Sequence, residues 1–165
     1  MEKPDKAKLV PISWTKFDTM CKGLLTKIKS VKIPFDSIVA ISKGGLPLGV
    51  VLAHNLNIPL LVVSAKRFLD GKIILDKDFS GIITADEGSP CRRVLIVDEI
   101  CDDGVTMTEV FKMVETKFKP DLIYTAVLFK RYWSKFNVNF VETILKNKKE
   151  YEWIVFPWEP EKPLE

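Results

Sequence analysis

The chain has 165 residues and a mass of 18.8 kDa, the size of one domain. Its 47% hydrophobic and 28% charged residues exclude disorder over most of that length. Charge is nearly balanced, 25 basic against 22 acidic for a net +3, too mild to argue for nucleic acid. The cysteines, Cys21, Cys91 and Cys101, are odd in number and form no C-x-x-C, which argues against a disulfide framework or a structural zinc site. A reduced, cytoplasmic setting follows. The opening MEKPDKAK lacks the apolar stretch of a signal peptide. No run approaches the ~18 apolar residues of a membrane helix, so neither nucleic acid nor membrane is an expected partner.

After the polar start, residues 14–28 set Trp14, Phe17, Met20, Cys21, Leu24, Leu25 and Ile28 at helical spacing, with Ser13 or Thr15 as cap. Residues 37–42 (SIVAIS) form a short apolar run ending in SKGG, which reads as a buried strand. LPLGVVLAHNL then reads as a helix and IPLLVVSA as a second strand. Residues 69–91 carry glycines and aspartates with little periodicity. The expectation there is a long loop containing a weak hairpin, with IIL and GIIT as its strands. Long loops in compact domains are often functional lids. RRVLIVDE is a strand that stops in acid, and residues 105–118 suit an amphipathic helix with Val110, Phe111, Val114 and Phe118 inward. LIYTAVLFK is a further strand. Residues 131–150 are polar and aromatic, and EWIV is a short strand before a proline-rich tail. Strands alternating with helices predict a single-domain α/β fold around a mostly parallel sheet.

The segment VLIVDEICDDGVTMT, Val94 to Thr108, carries the chemistry. A buried strand ends at Asp98 and Glu99. Asp102, Asp103, Gly104, Thr106 and Thr108 follow, then a helix. In open α/β sheets ligands bind beyond the carboxyl ends of the strands. A glycine turn into a helix amino terminus cradles phosphate, because free N–H groups and the helix dipole face the anion. Adjacent carboxylates suit a vicinal diol or a magnesium ion. A diol site beside a phosphate site describes a ribose phosphate. The bland alternative is a solvated acidic turn, but so many acids in so few residues are electrostatically costly without a ligand or cation. Other nucleotide motifs fail. Gly44 and Gly49 have the P-loop spacing, yet Val50 stands where lysine is required, and no G-x-G-x-x-G occurs. A response-regulator receiver also ends a strand in paired acids, but too little chain follows Asp98 for one.

VLIVDEICDDGVT resembles the signature of type I phosphoribosyltransferases: a strand, two acids, two variable residues, then Asp-Thr-Gly-x-Thr. Other segments agree in order. Ser42-Lys43-Gly44-Gly45 resembles the pyrophosphate loop, and Lys130 matches a purine-reading lysine. Trp153-Ile154 with Pro157-Trp158-Glu159 is similar to the family's base-binding segment, and Trp14 to its N-terminal element. The likeness spans about residues 10–160 and is nearest the 6-oxopurine, xanthine-guanine branch of bacterial and archaeal type.

This resemblance implies a purine-salvage transferase that moves 5-phosphoribosyl from PRPP to guanine, xanthine or hypoxanthine. The products are pyrophosphate and a purine nucleoside monophosphate. It implies Mg2+ as cofactor and a homodimer or homotetramer. Asp98 and Glu99 would hold the ribose hydroxyls, Glu99 also lying near the metal. Asp102 would exchange a proton with the purine. Asp103, Gly104, Val105, Thr106, Met107 and Thr108 would wrap the 5′-phosphate. Ser42, Lys43 and Gly44 would bind pyrophosphate, through a strained or cis peptide as in the family, with Lys66 and Arg67 as further contacts. Lys130 would donate to the exocyclic oxygen, Trp153 would stack on the base, and the Ile154 backbone would read its edge. Residues 69–91 would be the lid and about 131–160 the base-binding segment.

Without the resemblance, Lys130 would be an ordinary strand-end lysine, His54 a surface helix residue and Cys101 a small filler. One departure stands out: the family's threonine is replaced by Asp103. A carboxylate ~4 Å from phosphate costs about 4 kcal/mol at an effective dielectric near 20, before relaxation. That departure motivates an alternative function, a non-catalytic sensor of PRPP or nucleotide on the same fold.

Overall fold

The computed structural model describes residues 7–67, 73–75, 82–83, 91–146 and 151–159. In chain order the elements are β1 (Lys8–Pro11), α1 (Trp14–Ser30), β2 (Ser37–Ser42), α2 (Gly45–Leu56), β3 (Leu60–Arg67) and β4 (Ile73–Leu75). They continue with β5 (Ile82–Ile83), β6 (Arg93–Cys101), α3 (Val105–Phe118), β7 (Leu122–Arg131), β8 (Phe140–Leu145) and β9 (Glu152–Val155).

The central sheet runs β4-β3-β2-β6-β7-β8, and every neighbouring pair from β3 to β8 is parallel. Parallel strands are covered on both faces and therefore read as continuous apolar runs. Along β2, Ile38 and Ala40 enter one core while Val39 and Ile41 enter the other. Along β6, Leu95 and Val97 face the first and Val94 and Ile96 the second. The first core is closed by α1 (Phe17, Leu24, Ile28) and α2 (Leu48, Leu52). The second is closed by α3 (Met107, Val110, Val114). The Ser13 hydroxyl caps α1 by accepting from the Lys16 N–H at 3.1 Å.

The structure differs from the sequence expectation at three points. IIL and GIIT do not pair as a hairpin: β4 lies antiparallel to the end of β3 (Ala65–Arg67) and β5 to its start (Leu60–Leu61). A short apolar triplet takes whichever sheet edge offers free backbone groups, and β3 is such an edge. The rest of the expected lid, save Cys91, lies outside the described residues. Strand β8 sits in a stretch that reads as polar and aromatic, because this edge strand is only partly covered: Phe140 and Leu145 are buried and Val141 packs on the second core, while Thr143 and Ile144 are exposed. Finally, β1 and β9 form a separate two-stranded parallel sheet that joins the start of the chain to its end.

Candidate active site

The carboxyl ends of the parallel strands lie together. Ala40 is level with Val97, so the Ser42–Gly44 turn after β2 reaches the acids at the end of β6. A Cβ on Gly44 would collide with the Glu99 carboxylate, and one on Gly45 would stand 2.7 Å from the Val97 carbonyl oxygen. These glycines let the turn and α2 close against β6. The Ser42–Lys43 peptide is cis.

Asp98 and Glu99 keep a window to solvent but are crowded by protein atoms. Burial first, then the charge of Glu99, pushes Asp98 well above the usual carboxylate range. Burial also pushes Glu99 up. Glu99 Oε2 is buried and has no geometrically good hydrogen-bond partner among the described residues. Such an orphan acceptor fits a diol hydroxyl or a hard cation.

Gly104 turns the chain into α3 with φ +90°, a conformation that disfavours side chains. A Cβ there would also stand 2.6 Å from the Phe136 Cβ. The first turn of α3 presents N–H groups that no helical carbonyl can reach. One of them is taken: Asp103 Oδ1 accepts from the Val105 N–H at 3.0 Å. The Asp103 carbonyl also accepts from the Lys135 N–H at 3.2 Å, tying this turn to the segment after β7.

A cavity of about 290 Å³ opens here. Its walls include Asp98, Glu99, Asp102, Asp103, Gly104, Thr106 and Met107 from the β6–α3 segment. Arg131 at the end of β7 and Tyr151, Trp153, Ile154, Phe156 and Glu159 from the C-terminal segment complete it. Asp102 is held on both oxygens. Arg131 Nε lies 2.9 Å from Oδ1, though its N–H is not aligned on the contact, and the Tyr151 hydroxyl donates to Oδ2 at 3.1 Å. Burial first, then the Asp102 charge, pushes the Tyr151 phenol up, so it remains a donor.

Most sequence-predicted residues therefore converge on one cavity. Val105 and Thr108 lie in the first turn of α3 but outside its wall, Val105 being exposed. The Thr108 hydroxyl donates to the Gly104 carbonyl at 2.8 Å. Lys130 is half-buried opposite Cys101 and does not line the cavity; its neighbour Arg131 does. Lys66 and Arg67 end β3 at the same edge of the sheet, with side chains outside the described residues. Trp158 stacks on Phe156 (4.8 Å between centroids) and supports the cavity from behind, and Trp14 packs against it at 6.1 Å. Cys101 is buried and shares a hydrogen bond with the Ser134 hydroxyl at 3.2 Å, as a filler would. His54 is an exposed helix residue. Sequence reasoning missed Arg131 and Tyr151. The only signal was a cation and a phenol near the ends of strands, a pattern common to solvated residues.

A parallel sheet with paired acids ending one strand, a glycine turn into the next helix and a separate two-stranded sheet carrying the C-terminal segment is the fold of a type I phosphoribosyltransferase. The chain belongs to this family: the phosphoribosyl transferase domain matches residues 13–163. It is similar to the crystal structure of a purine phosphoribosyltransferase from Pyrococcus horikoshii Ot3, with 28% identity and TM-score 0.76, covering 95% of this chain and 98% of that one. The xanthine-guanine-hypoxanthine phosphoribosyltransferase of Helicobacter pylori shares the fold at 23% identity and TM-score 0.71, with 92% and 94% covered. So does a Neisseria gonorrhoeae protein solved with bound ppGpp, at 23% identity and TM-score 0.69, with 94% and 91% covered.

Proposed function

We propose that this protein is a purine-salvage enzyme that transfers the 5-phosphoribosyl group of PRPP to guanine, xanthine or hypoxanthine. The observation that carries the reading is the placement of a diol-binding acid pair, a phosphate turn and an aromatic hood around one cavity. The similarity to the Pyrococcus purine enzyme supports it.

In the reaction a purine nitrogen bonds to the anomeric carbon as the bond to pyrophosphate breaks. Charge moves onto the leaving group, and the purine releases a proton. Asp98 and Glu99 hold the ribose hydroxyls. The N–H groups and hydroxyls of residues 104–108 hold the 5′-phosphate, and the Ser42–Gly44 turn faces the pyrophosphate. Lys66 and Arg67 are assigned to the same leaving group. Asp102, open to the cavity, takes the purine proton, general-base work that contributes roughly 10²–10⁴-fold. Trp153 stacks on the ring and the Ile154 backbone reads its edge; Lys130, which ends β7 outside the cavity wall, is assigned to the exocyclic oxygen and has to turn inward to reach it. The hood excludes water, which protects the electron-poor anomeric carbon from hydrolysis. The carboxylates of Asp98 and Glu99 suit Mg2+, a hard ion usually bound by one or two carboxylates plus substrate oxygens. When bound it would neutralise charge on the diphosphate. Three free, buried cysteines support a cytoplasmic enzyme, and exposed Tyr132 and Trp133 support a homodimer or homotetramer.

Purified protein, PRPP and magnesium mixed with each purine should yield nucleotide and pyrophosphate. No turnover with any purine overturns the reading. The second reading, a non-catalytic PRPP or nucleotide sensor, is favoured by one contact: Asp103 occupies a donor of its own phosphate turn. Tight PRPP binding without turnover in the same assay selects it.

A further inference from the structure

We infer that Arg131 and Tyr151 form a clamp that positions Asp102 for proton transfer, an assignment that rests on the transferase reading above. Arg131 is 3% exposed, an unusual place for a guanidinium unless it is paired. Three contacts hold it. Its Nη2 donates to the Glu152 carbonyl at 2.7 Å, its Cζ lies 4.0 Å over the Tyr151 ring, and it lies 5.1 Å over the Trp133 ring. A cation seated on aromatic faces has little freedom to rotate. From that seat its Nε faces Asp102 Oδ1 at 2.9 Å, while Tyr151 holds Oδ2 at 3.1 Å.

The clamp therefore reaches Asp102 from both sides and from different elements. Asp102 stands in the turn after β6, Arg131 ends β7, and Tyr151 precedes β9 in the hood. A turn residue acquires its aim from a strand end and from the segment that covers the base. Because the Arg131 N–H is off the line of contact, a small swing of the carboxylate toward the cavity keeps the charge pairing. Asp102 can thus turn to the purine without leaving a buried guanidinium unpaired. Neither clamp residue exchanges the proton; both act through Asp102.

The test is a double-mutant cycle in the full-length protein with PRPP, magnesium and the best purine. Arg131→Met should lower kcat by about 10–100-fold, the usual cost of misaiming a reacting group, with the KM for PRPP changed less than about threefold. In an Asp102→Asn background the same substitution should cost less than about threefold, because its target is already gone. Guanidinium ion added at non-denaturing concentration should restore part of the kcat of Arg131→Ala. Should Arg131→Met fail to fold, Tyr151→Phe removes only the hydroxyl and should lower kcat in the wild-type background but not in Asp102→Asn. Equal losses in both backgrounds, or a rise in purine KM at unchanged kcat, would overturn the clamp and leave Arg131 as a strap on β9 or a base contact. Absence of turnover in the wild-type protein is a separate result, and it removes the transferase reading rather than the clamp alone.

Discussion

Asp103 and Asp98 are the residues whose chemistry is least ordinary. Asp103 uses its carboxylate to satisfy the Val105 N–H, a donor that the proposed phosphate also needs. PRPP binding must displace that contact and bring phosphate beside a carboxylate. Asp103→Thr removes the charge and keeps a hydroxyl, so it should lower the KM for PRPP by about tenfold, roughly 1.4 kcal/mol of a repulsion that solvent partly relaxes. Steady-state kinetics at varied PRPP checks this, and an unchanged KM counts against it. Asp98 bears on stability. Its carboxyl is held well above the usual range by burial and then by Glu99, so the folded protein keeps a proton that the unfolded chain releases above about pH 4. Stability of the metal-free protein should therefore fall as pH rises from the ordinary carboxylate range through the raised folded value. Thermal melts in chelator across that window should show the slope, and Asp98→Asn should flatten most of it.

Two neighbouring glycines separate activity from packing at the scale of elements. A Cβ on Gly45 would meet the backbone of β6, the Val97 carbonyl at 2.7 Å and the Asp98 Cα at 3.0 Å. Neither can move without parting α2 from β6, so Gly45→Ala should cost about 1–3 kcal/mol, the usual range for overpacking. A Cβ on Gly44 meets only the end of the Glu99 side chain, which can swing away. Gly44→Ala should then lose less than about 1 kcal/mol of stability but more than about tenfold in kcat/KM, because Glu99 is displaced from the ribose. Denaturant melts beside initial rates distinguish the two. If both variants lose only stability, Glu99 has no part in the site. The order of strands and helices was legible in the sequence because a buried parallel strand is a solid apolar run. The strands IIL and GIIT were legible, but their pairing with β3 was not, nor was β8, since an edge strand is only partly covered and its partner is chosen by the sheet.

Across the whole molecule, the candidate site lies between the central sheet and the small β1–β9 sheet. The acid pair and the proposed phosphate turn stand at the end of a central-sheet strand. Trp153 and Ile154 belong to β9, whose ladder partner among the described residues is β1, with Leu9 level with Trp153 and Val10 with Ile154. Removing the chain through Pro11 should loosen the hood and spare the turn. The KM for the purine should rise by about tenfold while that for PRPP moves less than about threefold. A parallel loss of both would mean that β1 supports the whole fold.

The linear motif made the family legible by itself. Asp98 through Thr108 sit within one strand, turn and helix, so local geometry alone sets the proposed diol site beside the proposed phosphate site. The α/β class was equally local, since it follows from periodicity. Folding in three dimensions decided what depends on residues far apart in the chain. Gly44 had to pass within reach of Glu99, Arg131 had to leave solvent to face Asp102, and the first strand had to find the last one. Each of these is set by which surfaces the sheet brings together. A lysine, arginine or tyrosine near a strand end looks the same in sequence whether it meets water or a buried carboxylate.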